Sequence, residues 1–344
     1  MTAAGATAAP PPKTIGPLRA GRRALFGAGL AALAVPAAGR AFPSRPLRLV
    51  VSSAAGASLD TLARNLAPGL SARLGQPVVV ENVGGANGLL ATHQVARAEP
   101  DGHTLLVTGD AIVLAELTTP NAGFSFAADF APVTLAVRAA QILATHPGTG
   151  FRDATGYVAA ARARPGGLNV GLPARGGIAH VLHALLARRL GGLEVEYVVY
   201  RGGAPAAVDL VARNLDALVI TLPAVTEQVR AGAIVPLAVS TAGRDPALPA
   251  VPTLAETVAP GFDVESWQGV LAPAATPPER VAVLHAALAG ALADPGTHAR
   301  LTGLGFAVEA AGPEPFRART AAAAARFADV VEAAGLRDDG RGGD

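Results

Sequence analysis

The sequence predicts an α/β protein of two lobes, in each of which helices cover a mostly parallel sheet. Short runs of buried-strand residues alternate with helical segments along both halves of the chain, which is the pattern of such sheets. Of the 344 residues, 51% are hydrophobic and 16% are charged, so the chain can bury a sizeable core and is too apolar to be disordered. A chain of this length suggests two domains.

The first 41 residues have the pattern of an export signal. Lys13 and three arginines form a positive region, Ala24 to Ala38 is apolar, and Gly39-Arg40-Ala41 is a small-x-small cleavage site that predicts Phe42 as the first mature residue. The paired arginines leave the twin-arginine and the general secretory routes both open. No later apolar run reaches the ~20 residues that a membrane span needs, so we expect a soluble exported protein.

Composition excludes several classes of chemistry. The chain has no cysteine, which removes disulfides, thiol nucleophiles, thiolate zinc sites and a lipid-modified N-terminal cysteine. Its only lysine, Lys13, lies in the predicted export signal, so we expect neither a phosphate-loop lysine nor a Schiff-base lysine in the mature protein. The net charge is +2 and the arginines are spread along the chain, so we expect no nucleic-acid partner.

Two loops, Arg48 to Asp60 and Leu168 to His180, share one design. In each, a short apolar strand runs into a turn of small residues and then into a helix, which begins near Ser58 in the first and at His180 in the second. The amides of a first helical turn have no partner within the helix and carry the positive end of its dipole. Two such loops that face each other, one per lobe, would clamp a small anion.

The remaining strands and helices alternate in the same way. After the first loop the sequence predicts a strand Pro77 to Glu81, a loop Asn82 to Gly88, a helix through Ala98 and a strand Thr104 to Thr108. Gly109 and Asp110 then lie at the carboxyl end of a strand, where α/β sheets usually bind ligands.

Two short apolar runs, Val133 to Val137 and Ile142 to Thr145, precede Pro147-Gly148, where we expect the chain to cross between lobes. The second lobe then continues with helix Asp153 to Arg164, strand Leu168 to Gly171, helix His180 to Leu190, strand Val195 to Val199, helix Ala204 to Ala212, strand Leu215 to Ile220, a helix to Ala231 and strand Val235 to Val239. Back in the first lobe, a strand restarts at Gly269 and is followed by the helices Pro277 to Ala293, Pro295 to Leu304 and Pro313 to Ala334.

Nine segments occur in the order of a known family. They are RLVVSSAAGASLD, LGQPVVVENVGGANG, PDGHTLL, DFAPVTL, the glycine loop that ends at His180, YRGGAPAAVDL, ALPAVPTLAE, GFDVESWQGVLAPAATP and LGF. With them, Phe42 to Leu336 resembles the Bug-type periplasmic solute-binding proteins, the soluble component of tripartite tricarboxylate transporters. The resemblance implies a type II-like periplasmic binding protein with discontinuous, hinged domains that close on a small carboxylate in the cleft between them.

The lobes expected from this resemblance are residues 42–143 plus 264–337 and residues 144–263, with a disordered tail over 338–344. It also implies a dicarboxylate, tricarboxylate or amino acid as ligand, a separate membrane permease as partner, a periplasmic location, a monomer, and neither a cofactor nor enzymatic activity. Carried over residue by residue, the resemblance and the two loop motifs predict these ligand-binding residues: Ser52, Ser53, Ala55, Gly56, Ala57, Ser58, Asp60, Asp110, Gly171, Arg175, Gly176, Gly177 and His180.

The chain departs from the family pattern in ways that bear on specificity. The first loop reads Ser52 to Ala57, without the aromatic residue and the prolines that the family usually has there. We hypothesise that Arg175 pairs with a ligand carboxylate, because its planar fork suits two oxygens. Asp110 stands where the family more often has a neutral polar residue, and would bind an ammonium group or repel a second carboxylate.

Four other interpretations remain open at this stage. Asp60 in a first helical turn is favourable through the helix dipole alone, so a structural role for it is preferred. His180 and His183 have the spacing of metal ligands but lack a third ligand, and no metal is predicted. A cleft hydrolase or lyase is disfavoured because Ser52 and His180 come from different lobes and no GxSxG elbow occurs. An orphan sensing subunit is the second binding hypothesis.

Overall fold

The computed structural model describes residues 8–14 and 42–337. Residues 8–14 contain no helix or strand. The remainder of the predicted export signal and the predicted tail 338–344 lie outside the described residues. Within the described part of the chain, no helix is both long and apolar enough to cross a membrane.

The described chain alternates strands and helices from Leu47 onwards. The strands are β1 Leu47–Val51, β2 Val78–Asn82, β3 Thr104–Gly109, β4 Phe130–Thr145, β5 Asn169–Leu172, β6 Glu196–Val199, β7 Ala217–Thr221, β8 Val235–Val239, β9 Glu265–Pro273 and β10 Phe306–Ala311. The helices are α1 Ser58–Leu74, α2 Leu89–Ala96, α3 Asp110–Thr118, α4 Phe126–Asp129, α5 Ala154–Ala163, α6 Ile178–Arg189, α7 Gly203–Val211, α8 Thr226–Arg230, α9 Leu254–Thr257, α10 Pro278–Ala293, α11 Pro295–Gly303 and α12 Pro313–Ala333.

All ten strands belong to one mixed sheet. Its main path runs β2-β1-β3-β9-β4-β7-β5-β6, and β8 and β10 each pair with β4 outside that path. The strands β2, β1 and β3 are parallel to one another, and so are β7, β5 and β6. The antiparallel strands β9 and β4 lie between these two parallel sets and join them.

The long strand β4 passes through both halves of the sheet. Residues Phe130 to Ala140 pair with β9, whereas Gln141 to Thr145 pair with β7 and β8. We expected two separate apolar runs here, but no glycine or proline separates them, and the strand is buried along nearly all of its length. The lobe boundaries 143/144 and 263/264 stay predictions. The change of partners after Ala140 is the observation that bears on the first of them.

Each half of the sheet is covered on both faces, so hydrophobic residues form four clusters. In the first half, α1 and α10 pack on one face, and α2, α3 and Phe316 of α12 pack on the other. In the second half, α5, α6 and the end of α12 cover one face and α7 covers the other. Strand β3 is buried at every residue, as expected for a strand with helices on both sides.

The sequence missed the four-residue helices α4 and α9 and two longer elements, α3 and β10. Helix α3 follows β3 directly and reads DAIVLAELT, which is apolar nearly all round and therefore lacks the polar face that marks an amphipathic helix. Strand β10 pairs antiparallel with β4 and is short, with a bulge between Val308 and Ala311 that obscures its alternation.

Candidate ligand-binding cleft

A cavity of about 900 Å³ lies between the two parallel sets of strands. The chain enters it after β1 and β3 in the first half, and after β5, β6 and β7 in the second. Parallel strands end at one edge of a sheet, so the loops at their carboxyl ends meet there. Residues 85–88 and Leu90, which follow β2, residues 266–268 of β9 and Leu336 also line the cavity.

Besides the short helix α2, whose N-cap residue is Gly88, four helices of the described chain begin at this cavity without a side-chain cap. They are α1, α3, α6 and α7, whose N-cap residues are Ala57, Gly109, Gly177 and Gly202. None of these residues has a side-chain oxygen, so the first amides of each helix are left for another acceptor. The four dipoles also bring positive potential to the same space, which favours an anion.

Helices that begin elsewhere show the contrast. The N-termini of α5, α9 and α11 are capped by the side chains of Asp153, Thr253 and Asp294, each of which accepts a hydrogen bond from a backbone amide of its own helix. Among the described helices, side-chain caps thus occur only away from the cavity, although α4, α8, α10 and α12 also begin elsewhere without one.

Three charged residues line the cavity: Arg175, Arg201 and Asp110. Both arginines are exposed, and neither forms an ion pair with a carboxylate among the described residues. The cavity is therefore electropositive on its second wall.

The Asp110 side chain is held in the floor of the cavity. Its carboxyl accepts hydrogen bonds from the Ser266 hydroxyl and from the Trp267 amide at 3.1 Å, and it is 3% exposed. Burial raises the pKa of Asp110 to about 7, and the charge of Glu265 adds to the rise, while these hydrogen bonds oppose it. The carboxyl thus fastens α3 to β9. Because these bonds give the Asp110 carboxyl a structural role, its presence at the cavity does not require an ammonium group on the ligand.

In the first loop, Asp60 turns away from the cavity. Its Oδ2 accepts from the Gly56 amide at 2.8 Å and its Oδ1 lies 2.9 Å from Arg64. Burial alone would raise the pKa of Asp60, but the hydrogen bonds from Arg64, Gly56 and Asn82 lower it below its ordinary value. Asp60 therefore stabilises the turn, in which Gly56 has a left-handed φ of 81°.

In the second loop, His180 holds the backbone in place. Its Nδ1 accepts a hydrogen bond from the Gly176 amide at 3.1 Å, and its ring packs edge-on against Tyr197. Burial and, to a smaller extent, the charge of Arg175 lower the pKa of His180 to about 4, so the ring is neutral at physiological pH. This neutral ring keeps the loop that carries Arg175 in one conformation.

The structure divides the predicted site residues into two groups. Those that line the cavity are Ser52, Ser53, Ala57, Ser58, Asp110, Arg175 and Gly177. Those that do not are Ala55, Gly56, Asp60, Gly171, Gly176 and His180. Gly171 is covered by Leu215, whose Cδ1 would lie 2.5 Å from a Cβ at that position. Gly176 is covered by Thr118 of α3, whose Cγ2 would lie 3.2 Å from a Cβ at Gly176.

The serine triad considered for a hydrolase is not assembled. The Ser52 hydroxyl donates to Thr108 Oγ1 at 3.0 Å, and Asp60 and His180 are engaged as described above. The His183 side chain, on the buried face of α6, lies between the hydroxyls of Tyr157 and Tyr197, with one ring nitrogen 2.7 Å from each.

Sequence reasoning missed the segment Tyr200 to Gly203, which lines the cavity. It follows β6 and precedes α7, so it repeats the strand–glycine–helix design of the two predicted loops and could have been found by that signal. Trp267 and Gln268 of β9 also line the cavity. Nothing local distinguishes them, because only the position of β9 in the sheet brings them there.

Two comparisons of sequence identify relatives. A family model described as tripartite tricarboxylate transporter family receptor matches residues 62–336. BugT of Bordetella pertussis is 33% identical over 309 residues, which cover 89% of this chain and 94% of BugT. The UPF0065 protein in the tcbD-tcbE intergenic region of Pseudomonas sp. (strain P51) is 37% identical over 275 residues, or 80% of this chain and 82% of that protein.

Solved structures agree with these matches. Rpa4515 of R. palustris with adipate is 32% identical with a TM-score of 0.82, over 86% of this chain and 98% of that one. MatC of Rhodopseudomonas palustris with bound malate is 32% identical with a TM-score of 0.79, over 84% of this chain and 100% of that one. The predicted fold class and the resemblance to Bug-type proteins are thus confirmed. The chain belongs to the receptor family of the tripartite tricarboxylate transporters, whose members are two-lobed α/β periplasmic solute-binding proteins.

Proposed function

We propose that this protein is an extracytoplasmic receptor that captures a small carboxylate in the cavity and passes it unchanged to a membrane permease. The observation that carries this proposal is the convergence of four uncapped helix N-termini on one cavity. The dicarboxylates bound by two structures of similar fold, adipate and malate, support it.

A carboxylate in this position gains hydrogen bonds without requiring a charged side chain at every contact. Backbone amides at the start of α1 and α3 would donate from the first wall, and those of α6 and α7 from the second. Among the predicted site residues, Ser52, Ser53, Ala57, Ser58, Gly177 and Arg175 then contact the ligand. Gly176 and His180 support it from behind by fixing the loop.

We further propose that residues 42–143 plus 264–337 and residues 144–263 move as two lobes. The chain passes between them in β4 and again just before β9, and the end of α12 packs on the second lobe, so bending at these three places would open and close the cleft. The two walls are already in contact at Gly176 and Thr118, because a Cβ at Gly176 would lie 3.2 Å from Thr118 Cγ2. A ligand that contacts both walls would shift the population towards the closed form.

The chain is proposed to leave the cytoplasm by its export signal, to be cleaved after Ala41 and to act as a monomer. Mass spectrometry of the protein from the periplasmic fraction should give the mass of a chain whose first residue is Phe42. A mature protein that retains residues 1–41 would contradict this part of the proposal.

The experiment that tests the receptor role is native mass spectrometry of the purified protein, followed by calorimetry with the small molecule that is released. We expect a carboxylate at one per chain that is recovered unchanged after incubation. Gly177→Asp should abolish its binding, because the new carboxylate would lie among the free amides of α6, whereas Gly191→Asp, at an exposed turn after the same helix, should not. A released compound without a carboxylate, or one converted to product, would refute the proposal.

A further inference from the structure

Two loops on the second wall of the cavity each present one arginine. Arg175 follows β5 and Arg201 follows β6, and these strands are parallel neighbours in which Leu172 pairs with Val199. Adjacent strands lie roughly 4.8 Å apart. The two arginines come three and two residues after that pair, so both leave the same edge of the sheet side by side.

Backbone hydrogen bonds join the two loops. The Tyr200 amide donates to the Leu172 carbonyl at 2.9 Å, and the Gly202 amide donates to the Pro173 carbonyl at 2.8 Å. The residues on both sides of Arg201 are therefore bonded to the strand and loop that lead to Arg175. The separation of the two arginine backbones is set before any ligand arrives.

Each loop is also fastened to the helix behind it. The Tyr200 hydroxyl donates to Asp209 of α7 at 2.7 Å, and the Gly176 amide donates to His180 of α6 at 3.1 Å. The guanidinium groups of Arg175 and Arg201 have no hydrogen-bond or ion-pair partner among the described residues, and both residues line the cavity. Because the loops are already ordered, the entropic cost of ordering them on ligand binding is reduced.

The only acid that lines the cavity within the described chain does not neutralise them. The Asp110 carboxyl is directed to Ser266 and Trp267 in the opposite wall, and it forms no ion pair with Arg175 or Arg201. Two unneutralised guanidinium groups in neighbouring loops repel each other, and a planar anion between them would remove that repulsion while accepting paired hydrogen bonds.

We infer that Arg175 and Arg201 together form a subsite for a second anionic group of the ligand, and that the cavity therefore selects dicarboxylates over monocarboxylates. This inference rests on the proposed receptor function and names the class of its substrate. One carboxylate would lie at the helix N-termini of the first wall and the other between the arginines. The inference thus adds Arg201 to the predicted ligand-binding residues, as the residue that determines specificity for a dianion.

The test uses probes of matched length. Calorimetry compares adipate with hexanoate, and benzene-1,4-dicarboxylate with benzoate, on the full mature chain and on Arg201→Gln. We expect the wild type to prefer the dianion of at least one pair by about tenfold or more, the scale of one charge-assisted interaction. Arg201→Gln should lower dianion affinity about tenfold and leave the monoanion unchanged.

Two further variants control the result. Arg201→Lys keeps the charge but not the fork, so its dianion affinity should lie between those of wild type and Arg201→Gln. Arg188→Gln removes an exposed arginine of α6 that does not line the cavity, and it should bind like wild type. Thermal unfolding of every variant reports whether the fold is kept.

The outcomes separate the inference from the proposed function. Equal affinity for the two members of each pair, or an Arg201→Gln variant that retains the full preference for dianions, overturns the inference and leaves the carboxylate receptor standing. Absence of binding by all four carboxylates, together with a released native ligand that has no carboxylate, overturns both.

Discussion

Replacing Asp110 with asparagine should remove a dependence of stability on pH that the wild-type protein shows between about pH 4 and 7. Burial raises the pKa of this carboxyl from its ordinary value of 3.8 to about 7. Over that interval the folded protein holds a proton that the unfolded chain has lost, so the free energy of unfolding falls as pH rises. Below the interval both states are protonated, and above it both are ionised and the full penalty is present.

The size of the effect follows from the shift. About three pKa units correspond to at most about 4 kcal/mol, since one unit is worth roughly 1.4 kcal/mol. The asparagine would keep an acceptor for Ser266 and the Trp267 amide, but its amide nitrogen would lie where Oδ1 has no partner within the described residues. That loss costs about 1 to 3 kcal/mol at every pH. The variant should therefore be less stable than wild type near pH 4 and as stable or more stable near pH 8.

The assay is urea denaturation followed by circular dichroism at several pH values between about 4 and 8. Other titrating groups are common to both proteins and cancel in the difference. Asp60→Asn is the matched control: hydrogen bonds lower the pKa of Asp60, so the stability it contributes is lost only as pH falls below its ordinary value of 3.8. A plot of its free energy of unfolding against pH should therefore run parallel to that of the wild-type protein. Parallel curves for the Asp110 variant as well would refute the reasoning.

Three further substitutions test the packing around the site by urea denaturation. Gly269→Ala should lower the free energy of unfolding by several kcal/mol, roughly the cost of overpacking a core, because its Cβ would lie 2.5 Å from Phe316 Cζ; an unchanged midpoint would contradict this. Arg138→Met should cost about 1 to 3 kcal/mol, because Glu265 and Glu309 each lose one of two arginine partners and keep only Arg319; restoring stability with Glu265→Gln in the same chain would support that cause. His183→Phe should cost about 2 to 4 kcal/mol because two tyrosine hydroxyls lose their acceptor or donor in the core, and a variant as stable as wild type would exclude this role.

The elements that the sequence predicted well are those whose pattern is local. The strand, small-residue turn and helix from Leu47 to Leu74 could be located because an apolar run, a turn and an amphipathic stripe follow each other. Helix α3 could not be found in this way, because it is buried on nearly all sides. Strand β4 was divided in two because its change of partner leaves no mark in the sequence.

The candidate site shows the same division. The first and second loops, which precede α1 and α6, were predicted from the residues alone, since a strand, a turn of small residues and a helix form a local signal, whereas Arg175 was singled out as a departure from the family pattern. Arg201 was not among the predicted ligand-binding residues, although the structure places it on the cavity beside the loop of Arg175. His180 was expected to contact the ligand and instead supports the Gly176 amide, which depends on a rotamer that the sequence does not specify.

The sequence by itself determined the alternation of strands and helices, the small residues at the helix starts and the family to which the chain belongs, because each of these depends on residues close together in the chain. The tertiary structure alone decided which loops share a cavity, since that depends on the order of strands in the sheet. It also decided that the Asp110 carboxyl bonds to β9, more than 150 residues further on. Contacts over such distances depend on the packing of the whole sheet, which no local pattern records.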